Sequence, residues 1–236
     1  MDISINYTKN VRYELMHGRE ATQQIKEFPV GYLPTGCLER HGDHLPMGLD
    51  VIKAHGICCL IAQAIGGVVF PAHFYSGIHG LDSKTLERFT GQWGNLYTDE
   101  TAKQHLKDII NQFIMMGIKV LVLYSGHYPK IQCDMVKEIA EEYNTNGHIR
   151  IIPATEPDIL DEGDHAGICE TSFMLYLDKN LVDMNRISQL NYQDHGWSDK
   201  NSPELASAAK GEVDVQRLIK YFGENINDCL KSMNLE

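Results

Sequence analysis

Residues 38–50, LERHGDHLPMGLD, form the densest group of side chains in the sequence that could do chemistry. The segment holds Glu39, His41, Asp43, His44 and Asp50. Carboxylates mixed with imidazoles, with no thiolate among them, are typical ligands of divalent ions of the Zn, Mn or Fe kind. Glu39 and His41 are two residues apart, so in extended backbone both side chains point the same way. Asp50 is predicted to be the N-cap of the next helix, from where its carboxylate can enter the same crevice.

Two other segments carry similar groups. His127 directly follows an apolar stretch, in the sequence YSGH at 124–127, and Glu170 lies five residues after His165. Spacing alone leaves two interpretations open: a metal site, or a hydrogen-bonded structural histidine together with a helix cap and solvated acids. The metal site is favoured because all three segments fall at predicted strand ends or loop–helix junctions.

The elements that must position these groups alternate between strand and helix. Short apolar runs predict strands at 28–33, 68–71, 119–124 and 149–153, and helical spacing of apolar residues predicts helices at 50–65, 99–116, 129–143, 165–177 and 212–233. Uninterrupted apolar strands that alternate with helices indicate the α/β class, with a mostly parallel sheet covered on both faces. In such sheets ligands bind at the carboxyl ends of the strands, and the polar groups described above lie there.

Length and composition exclude several classes of protein. The chain has 236 residues, of which 43% are hydrophobic, and we expect one domain over residues 1–236. Its 21 basic and 32 acidic side chains give a net charge of −11, and without a basic cluster it is not expected to bind nucleic acid. No apolar run reaches the ~18 residues of a membrane span and the amino terminus lacks a signal-peptide core, so we expect no membrane partner and a cytoplasmic location. The six cysteines form no Cys-x-x-Cys pair and are interpreted as reduced, mostly buried thiols.

Three of these segments, in the same order, resemble the motifs of the creatininase family. Residues 33–50, LPTGCLERHGDHLPMGLD, resemble the family form L-P-x-G-x-x-E-x-H-G-x-H-L-P-x-x-x-D. Ser-Gly-His at 125–127 resembles the family's Asn-Gly-His, and HAGICETS at 165–172 matches H-A-G-x-x-E-T-S. A weaker similarity, ASAAKGE at 206–212, brings the resemblance to most of the chain.

The resemblance implies a three-layer αβα sandwich, a centre with two divalent ions, and hydrolysis of a non-peptide C–N amide bond. By position, the residues that match metal ligands are Glu39, His41, Asp50, His127 and Glu170, with Asp50 as the bridging carboxylate. His165 matches a histidine beside the substrate and is the candidate proton shuttle, with Glu170 as the second candidate catalytic residue. The resemblance also implies a homo-oligomer, commonly a hexamer.

Other polar residues near these motifs receive lower-ranked roles. His44 is interpreted either as a support for a ligand or as a packing histidine. Tyr128 is expected to reach the substrate. His79 is predicted either to contact the substrate or to stabilise its own turn. Cys37 and Cys169 lie beside site residues and are predicted to be packing thiols.

Two departures from the family pattern bear on the substrate. The creatinine-specific branch reads Gly-His-Tyr-Glu-Asn, with the glutamate as a ligand, whereas residues 126–130 read GHYPK. Pro129 therefore removes that ligand, Lys130 brings a cation nearby, and Glu170 is expected to supply the oxygen instead. That branch also places a tryptophan just before its H-A-G histidine, and residues 158–164 contain none.

The sequence therefore predicts a metal-dependent amidohydrolase that acts on a small cyclic amide or formamide through a metal-activated water. Three alternatives stay open: creatinine amidohydrolase proper, a formamidopyrimidine-type deformylase, and a catalytically eroded binding or scaffold protein with the same fold. The expected cofactors are two divalent ions (Zn, Mn or Fe), and the expected partner is a small-molecule amide.

Overall fold

Four parallel strands in the order β2-β1-β3-β4 form the central sheet of the computed structural model, which describes residues 10–187 and 197–233. The strands are β1 Val30–Thr35, β2 Val68–Val69, β3 Val120–Ser125 and β4 Arg150–Ala154. The helices are α1 Gly18–Glu27, α2 Leu49–Ile65, α3 Ser83–Trp93, α4 Thr101–Met116, α5 Lys130–Asn146, α6 Glu156–Leu160, α7 Ile168–Leu177 and α8 Ala208–Ser232. Within the described ranges, no helix combines the length and the apolar character needed to cross a membrane.

The side chains of β3 show why the sheet is covered on both faces. The first, third and fifth residues of β3 pack with α2, α7 and α8, whereas Leu121 and Leu123 pack with α1, α4 and α5. Every residue of β3 is buried. Because successive strand side chains point to opposite faces, such an apolar strand needs a helical layer on each side. The predicted three-layer α/β sandwich with a parallel sheet is confirmed.

The connections leave β1 and β3 in opposite directions. From β1 the chain runs through α2 to β2, which lies at one edge of the sheet. From β3 it runs through α5 to β4, which lies at the opposite edge. Thr35 and Ser125, the last residues of the two strands, are paired in register, so both segments leave the sheet at the same level. In open parallel sheets this arrangement creates a crevice at the carboxyl ends of the two strands, where ligands bind.

Three of the described helices lie outside the predicted elements: α1, α3 and the five-residue α6. Neither α1 nor α3 shows a wide apolar face in the sequence. α1 buries only Ala21 and Ile25, and α3 has no buried residue. The prediction of Asp50 as an N-cap is wrong, since α2 begins at Leu49 and Asp50 lies in its first turn. The Leu49 N–H already donates to the Pro46 carbonyl, and this turn starts the helix early.

α7 begins at Ile168, three residues after the predicted start at His165. Ala166 lies between them and has a left-handed backbone with a φ of 57°, which a right-handed helix cannot continue. This conformation is uncommon for a residue with a side chain and costs of order 1–3 kcal/mol. It turns the chain so that the Ala166 N–H points at Glu170.

Candidate metal centre

The loops that follow β1 and β3 place Glu39, Asp50 and His127 against one another in the crevice. The Glu39 N–H donates to the Met47 carbonyl (2.9 Å), so the loop after β1 folds back and its two ends meet. Gly126 lets the loop after β3 approach, because a Cβ at this position would collide with the Asp50 carbonyl oxygen. The three acidic and imidazole side chains are buried as a result.

The first donor group consists of Glu39, Asp50 and His127. His127 Nδ1 is 2.8 Å from Glu39 Oε1 and 3.3 Å from Asp50 Oδ2. The other ring nitrogen, Nε2, donates to the Ile78 carbonyl oxygen at 3.1 Å, so a neutral ring turns its Nδ1 lone pair toward the carboxylates. Burial would lower the pKa of His127, but the Glu39 carboxylate outweighs it and raises that pKa well above its usual value. The same contact lowers the pKa of Glu39 to about 2, although burial would raise it.

The second donor group consists of His41, Asp50 and Glu170. His41 Nδ1 donates to the Glu39 backbone carbonyl at 3.0 Å, which leaves Nε2 with a lone pair when the ring is neutral. This buried Nε2 lies 3.1 Å from Asp50 Oδ1 and 3.5 Å from Glu170 Oε2, without a hydrogen bond of suitable geometry to either. Burial would lower the pKa of His41, but Glu170 and Asp50 raise it to about 9. The negative potential of this group therefore favours a cation.

Three donors fix the orientation of Glu170. Lys53 Nζ lies 2.8 Å from Oε1, and the Tyr128 hydroxyl lies 3.0 Å from the same oxygen. Oε2 accepts from the Ala166 N–H at 2.7 Å and faces His41. Burial would raise the pKa of Glu170, but Lys53 outweighs it and keeps that pKa below its usual value. Glu170 is thus an ionised carboxylate with one oxygen held toward the second donor group.

The donor atoms fit a pair of divalent ions. Asp50 belongs to both groups and gives one oxygen to each, since Oδ1 faces His41 and Oδ2 faces His127. The His41 Nε2 atom is the clearest sign, because a buried polar atom without a partner costs about 1–3 kcal/mol and a metal ion would satisfy it. The residues of the two groups that share Asp50, and that would hold the ions, are Glu39, His41, Asp50, His127 and Glu170; His165 forms a third cluster with Glu39 and His41.

His165 lies beside both donor groups and faces a cavity. The cavity has a volume of about 630 Å³, and residues of both groups form part of its wall. His165 Nε2 donates to the Arg40 carbonyl oxygen at 2.9 Å, and Nδ1 lies 4.0 Å from Glu39 Oε1. The imidazole centroid is 4.3 Å from that of His41, and the His165 side chain is 38% exposed. The ring therefore contacts the centre and is open to a molecule in the cavity.

Tyr128 and His44 support the segment that carries Glu170. Tyr128 lines the cavity, and its hydroxyl lies 2.6 Å from the Asp164 carbonyl oxygen as well as near Glu170. His44 Nε2 is 3.0 Å from Oγ1 of Thr171, the residue after Glu170. Both side chains thus hold the start of α7 in place.

His79 is not among the described residues that line the cavity. Its Nδ1 accepts from the Leu81 N–H at 2.7 Å, which is the contact expected of the turn-stabilising alternative. Tyr97, which has no role among the sequence predictions, donates from its hydroxyl to Glu39 Oε2 at 2.9 Å. No motif in the sequence indicates this tyrosine.

Lys53 and Glu156 form a buried ion pair next to the centre and lie outside the predicted set. Lys53 is completely buried, and its Nζ lies 3.4 Å from Glu156 Oε1 and 2.8 Å from Glu170 Oε1. Burial raises the pKa of Glu156 to about 7, against the lowering effect of Lys53. One ammonium group thus serves two carboxylates. The signal in the sequence is that Lys53 is the only lysine or arginine in the apolar helix α2.

Cys37 lies inside the first donor group, where only packing is predicted for it. Its Sγ is 3.4 Å from Asp50 Oδ2 and 3.5 Å from His127 Nδ1. Cys37 precedes Glu39 by two residues, the same spacing that places Glu39 and His41 on one side of an extended chain. This two-residue spacing is the feature of the sequence that indicates a thiol among the donor residues.

A model of the creatininase family, described as creatinine amidohydrolase, matches residues 14–226. The chain belongs to the creatininase family. Within the family, a creatinine amidohydrolase from Pseudomonas putida is 29% identical over 175 residues, which are 66% of this chain and 66% of that protein. The match therefore spans just under two thirds of the relative's length.

Solved creatininase structures share the fold. One described as "Creatininase Mn" is 22% identical with a TM-score of 0.71 and covers 93% of this chain and 98% of its own. A mutant creatininase of the "Zn-Zn type" is also 22% identical, with a TM-score of 0.70 over 94% of this chain and 98% of its own. At 22% identity, the similarity to these structures establishes the shared fold and nothing further.

Membership of the creatininase family confirms the resemblance carried by the motifs. The predicted enzyme class, an amidohydrolase acting on a C–N bond, is confirmed at the level of the family. Use of a divalent metal agrees with the donor groups, and zinc and manganese are named for the solved relatives. The homo-oligomer and the cytoplasmic location stay predictions.

Proposed function

We propose that this creatininase-family protein is a metal-dependent amidohydrolase that hydrolyses a C–N bond of a small cyclic amide or formamide. The observation that carries the proposal is Asp50, whose two oxygens join two donor groups at the wall of a 630 Å³ cavity. Two bound divalent ions would supply an acidified water and Lewis-acid polarisation of the amide carbonyl.

His165 is the residue placed to move a proton. Because Nε2 is engaged with the Arg40 carbonyl, Nδ1 is the nitrogen that is left to take and give a proton, and the residue lines the cavity. The leaving nitrogen of an amide must be protonated before it departs, and histidine exchanges protons near neutral pH. Glu170 and Glu39 are fixed by their own hydrogen bonds and hold the donor atoms in place.

Replacement of His165 by glutamine is expected to reduce kcat by about 10²–10⁴-fold, the usual contribution of a positioned acid or base. Metal content should change little, because His165 lies in neither of the two donor groups that share Asp50. The measurement is turnover of the best amide substrate together with metal analysis of the same sample. Replacement of the exposed His148 by glutamine serves as the control. A His165→Gln protein with unchanged kcat would exclude the proton-transfer role.

The cavity wall favours neutral or cationic substrates. Among the described residues, six acidic side chains and no lysine or arginine line it. Two divalent ions would offset only four of those negative charges. The wall segment 161–164 is DEGD, so the aromatic cover of the creatinine-specific branch has no counterpart there. This composition favours a compact amide other than creatinine.

A panel of amides tests the proposed function. Metal-loaded protein is assayed with creatinine, with neutral, cationic and carboxylated lactams, and with formamides. We expect metal-dependent turnover of a lactam or a formamide, with carboxylated analogues slowest. Creatinine-to-creatine conversion as the fastest reaction would establish creatinine amidohydrolase instead. Release of formate from formamides, with no turnover of lactams, would narrow the proposed class to a deformylase. Bound metal without any turnover would favour the scaffold protein and contradict the proposal.

A further inference from the structure

The Cys37 thiol contacts the first donor group and does not line the cavity. Cys37 has no exposed surface and is absent from the cavity wall, whereas Glu39, Asp50 and His127 all reach that wall. The backbone of Gly77 packs against Cys37 so closely that a Cβ at Gly77 would lie 2.5 Å from the Cys37 Cβ. The thiol is therefore held against the donor atoms and does not form part of the cavity wall.

The spacing of these atoms is that of ligands around one ion. Zn–S bonds of ~2.3 Å and Zn–N or Zn–O bonds of ~2.0–2.1 Å place the ligand atoms of a tetrahedral zinc roughly 3.3–3.6 Å apart. Cys37 Sγ is 3.5 Å from His127 Nδ1 and 3.4 Å from Asp50 Oδ2, and those two atoms are 3.3 Å apart. The three contacts match one face of such a tetrahedron. Glu39 is the fourth member of the set; its Oε1 lies 2.8 Å from His127 Nδ1, which is a hydrogen-bond distance and shorter than the spacing of two ligands on one ion.

The alternative role for the thiol is hydrogen bonding. A protonated Cys37 could donate its one hydrogen to Asp50 Oδ2 and leave the metal to the other three residues. That arrangement leaves the Cys37 sulfur without a role at the ion, although it lies about as close to Asp50 and His127 as these two lie to each other. A thiolate in the same place gives the ion four protein donors, so a bound water would make it five-coordinate, as catalytic zinc sites can become.

We propose that Cys37 is a thiolate ligand of the ion held by Glu39, Asp50 and His127. The proposal rests on the proposed function, in that it concerns one of the same two ions. On binding, the metal–sulfur bond replaces the S–H bond and the proton leaves to solvent, since a coordinating thiol is deprotonated outright. A thiolate ligand favours zinc over manganese, whereas the second donor group has only nitrogen and oxygen donors. The two positions therefore differ in the metal that they prefer.

X-ray absorption at the zinc edge tests the assignment on the whole protein. Zinc-loaded wild-type protein should show a sulfur scatterer at about 2.3 Å. Cys37→Ser should lose it, and Cys169→Ser, a matched change near the cavity but outside the donor set, should keep it. Cobalt-loaded protein should show a near-ultraviolet thiolate-to-cobalt charge-transfer band with the same dependence on Cys37.

Metal competition gives a second readout. In equal amounts of Zn²⁺ and Mn²⁺, Cys37→Ser should lower the preference of the first donor group for zinc by about tenfold or more. If wild-type protein binds metal and hydrolyses an amide but shows only nitrogen and oxygen scatterers, the thiolate ligand is excluded and the proposed function stands. If the protein binds no metal, both proposals fail. Should Cys37→Ser not fold, the wild-type spectrum alone decides.

Discussion

Replacement of Asp50 by asparagine is expected to abolish both metal binding and amide hydrolysis. The two oxygens of Asp50 contact His41 and His127, so the substitution weakens both donor groups in one step. Loss of a residue outside the ligand set typically costs 10–100-fold in metal affinity, and loss of a shared ligand should exceed about 100-fold. Activity should fall to background, because the acidified water depends on the ions.

The Asp50→Asn protein should still fold when metal is removed by a chelator. His127 keeps Glu39 as its partner and His41 keeps Glu170, so no buried charge is left without a partner. Metal content per chain and the thermal transition with chelator present are the two measurements. Asp43→Asn, in the same loop but half-exposed and paired with Arg40, is the matched control and should keep metal and activity. Full metal content in Asp50→Asn would contradict the bridging role.

The sequence predicts the part of the site that follows from element boundaries. Asp50 and His127 come after β1 and β3, whose ends are paired in register, so parallel pairing alone brings their loops together. Glu170 is found by its motif, but its orientation is not, because that orientation depends on the left-handed backbone of Ala166. Backbone strain of this kind is set by the surrounding fold and leaves no mark on periodicity.

The buried charges next to the ligands are beyond prediction for a different reason. Lys53 and Glu156 are about a hundred residues apart in sequence, and only the packing of α2 against the start of α6 makes them neighbours. A single lysine in an apolar helix can be read as a residue at the edge of the buried face, since lysine keeps its charged end in water where it can. The sequence does not indicate helix α3, because none of its residues is buried and its apolar residues mark no buried side.

Replacement of Lys53 by methionine is expected to destabilise the folded protein by about 3–5 kcal/mol, the cost of leaving a buried charge without its partner. Lys53 is fully buried, and its Nζ is the cation closest to Glu170 and Glu156, whose oxygens lie 2.8 and 3.4 Å away. The methionine fills a similar volume, so the loss is electrostatic rather than a cavity. Urea unfolding in the presence of a chelator measures the loss in free energy of unfolding without the contribution of bound metal. Lys84→Met, an exposed lysine on α3, should change stability by less than about 0.5 kcal/mol.

A second substitution separates the charge effect from packing. Lys53→Met combined with Glu156→Gln should recover part of the lost stability, because one of the two uncompensated carboxylates is then neutral.

Glu156→Gln alone should change how the free energy of unfolding depends on pH. Burial raises the folded pKa of Glu156 from 4.5 to about 7, so its ionisation costs the wild-type protein stability as the pH rises through that window. Relative to wild type, Glu156→Gln should therefore gain stability between about pH 5 and pH 8. If the double variant is as unstable as Lys53→Met and the pH curves of wild type and Glu156→Gln are parallel, Lys53 acts through packing and not as the shared cation.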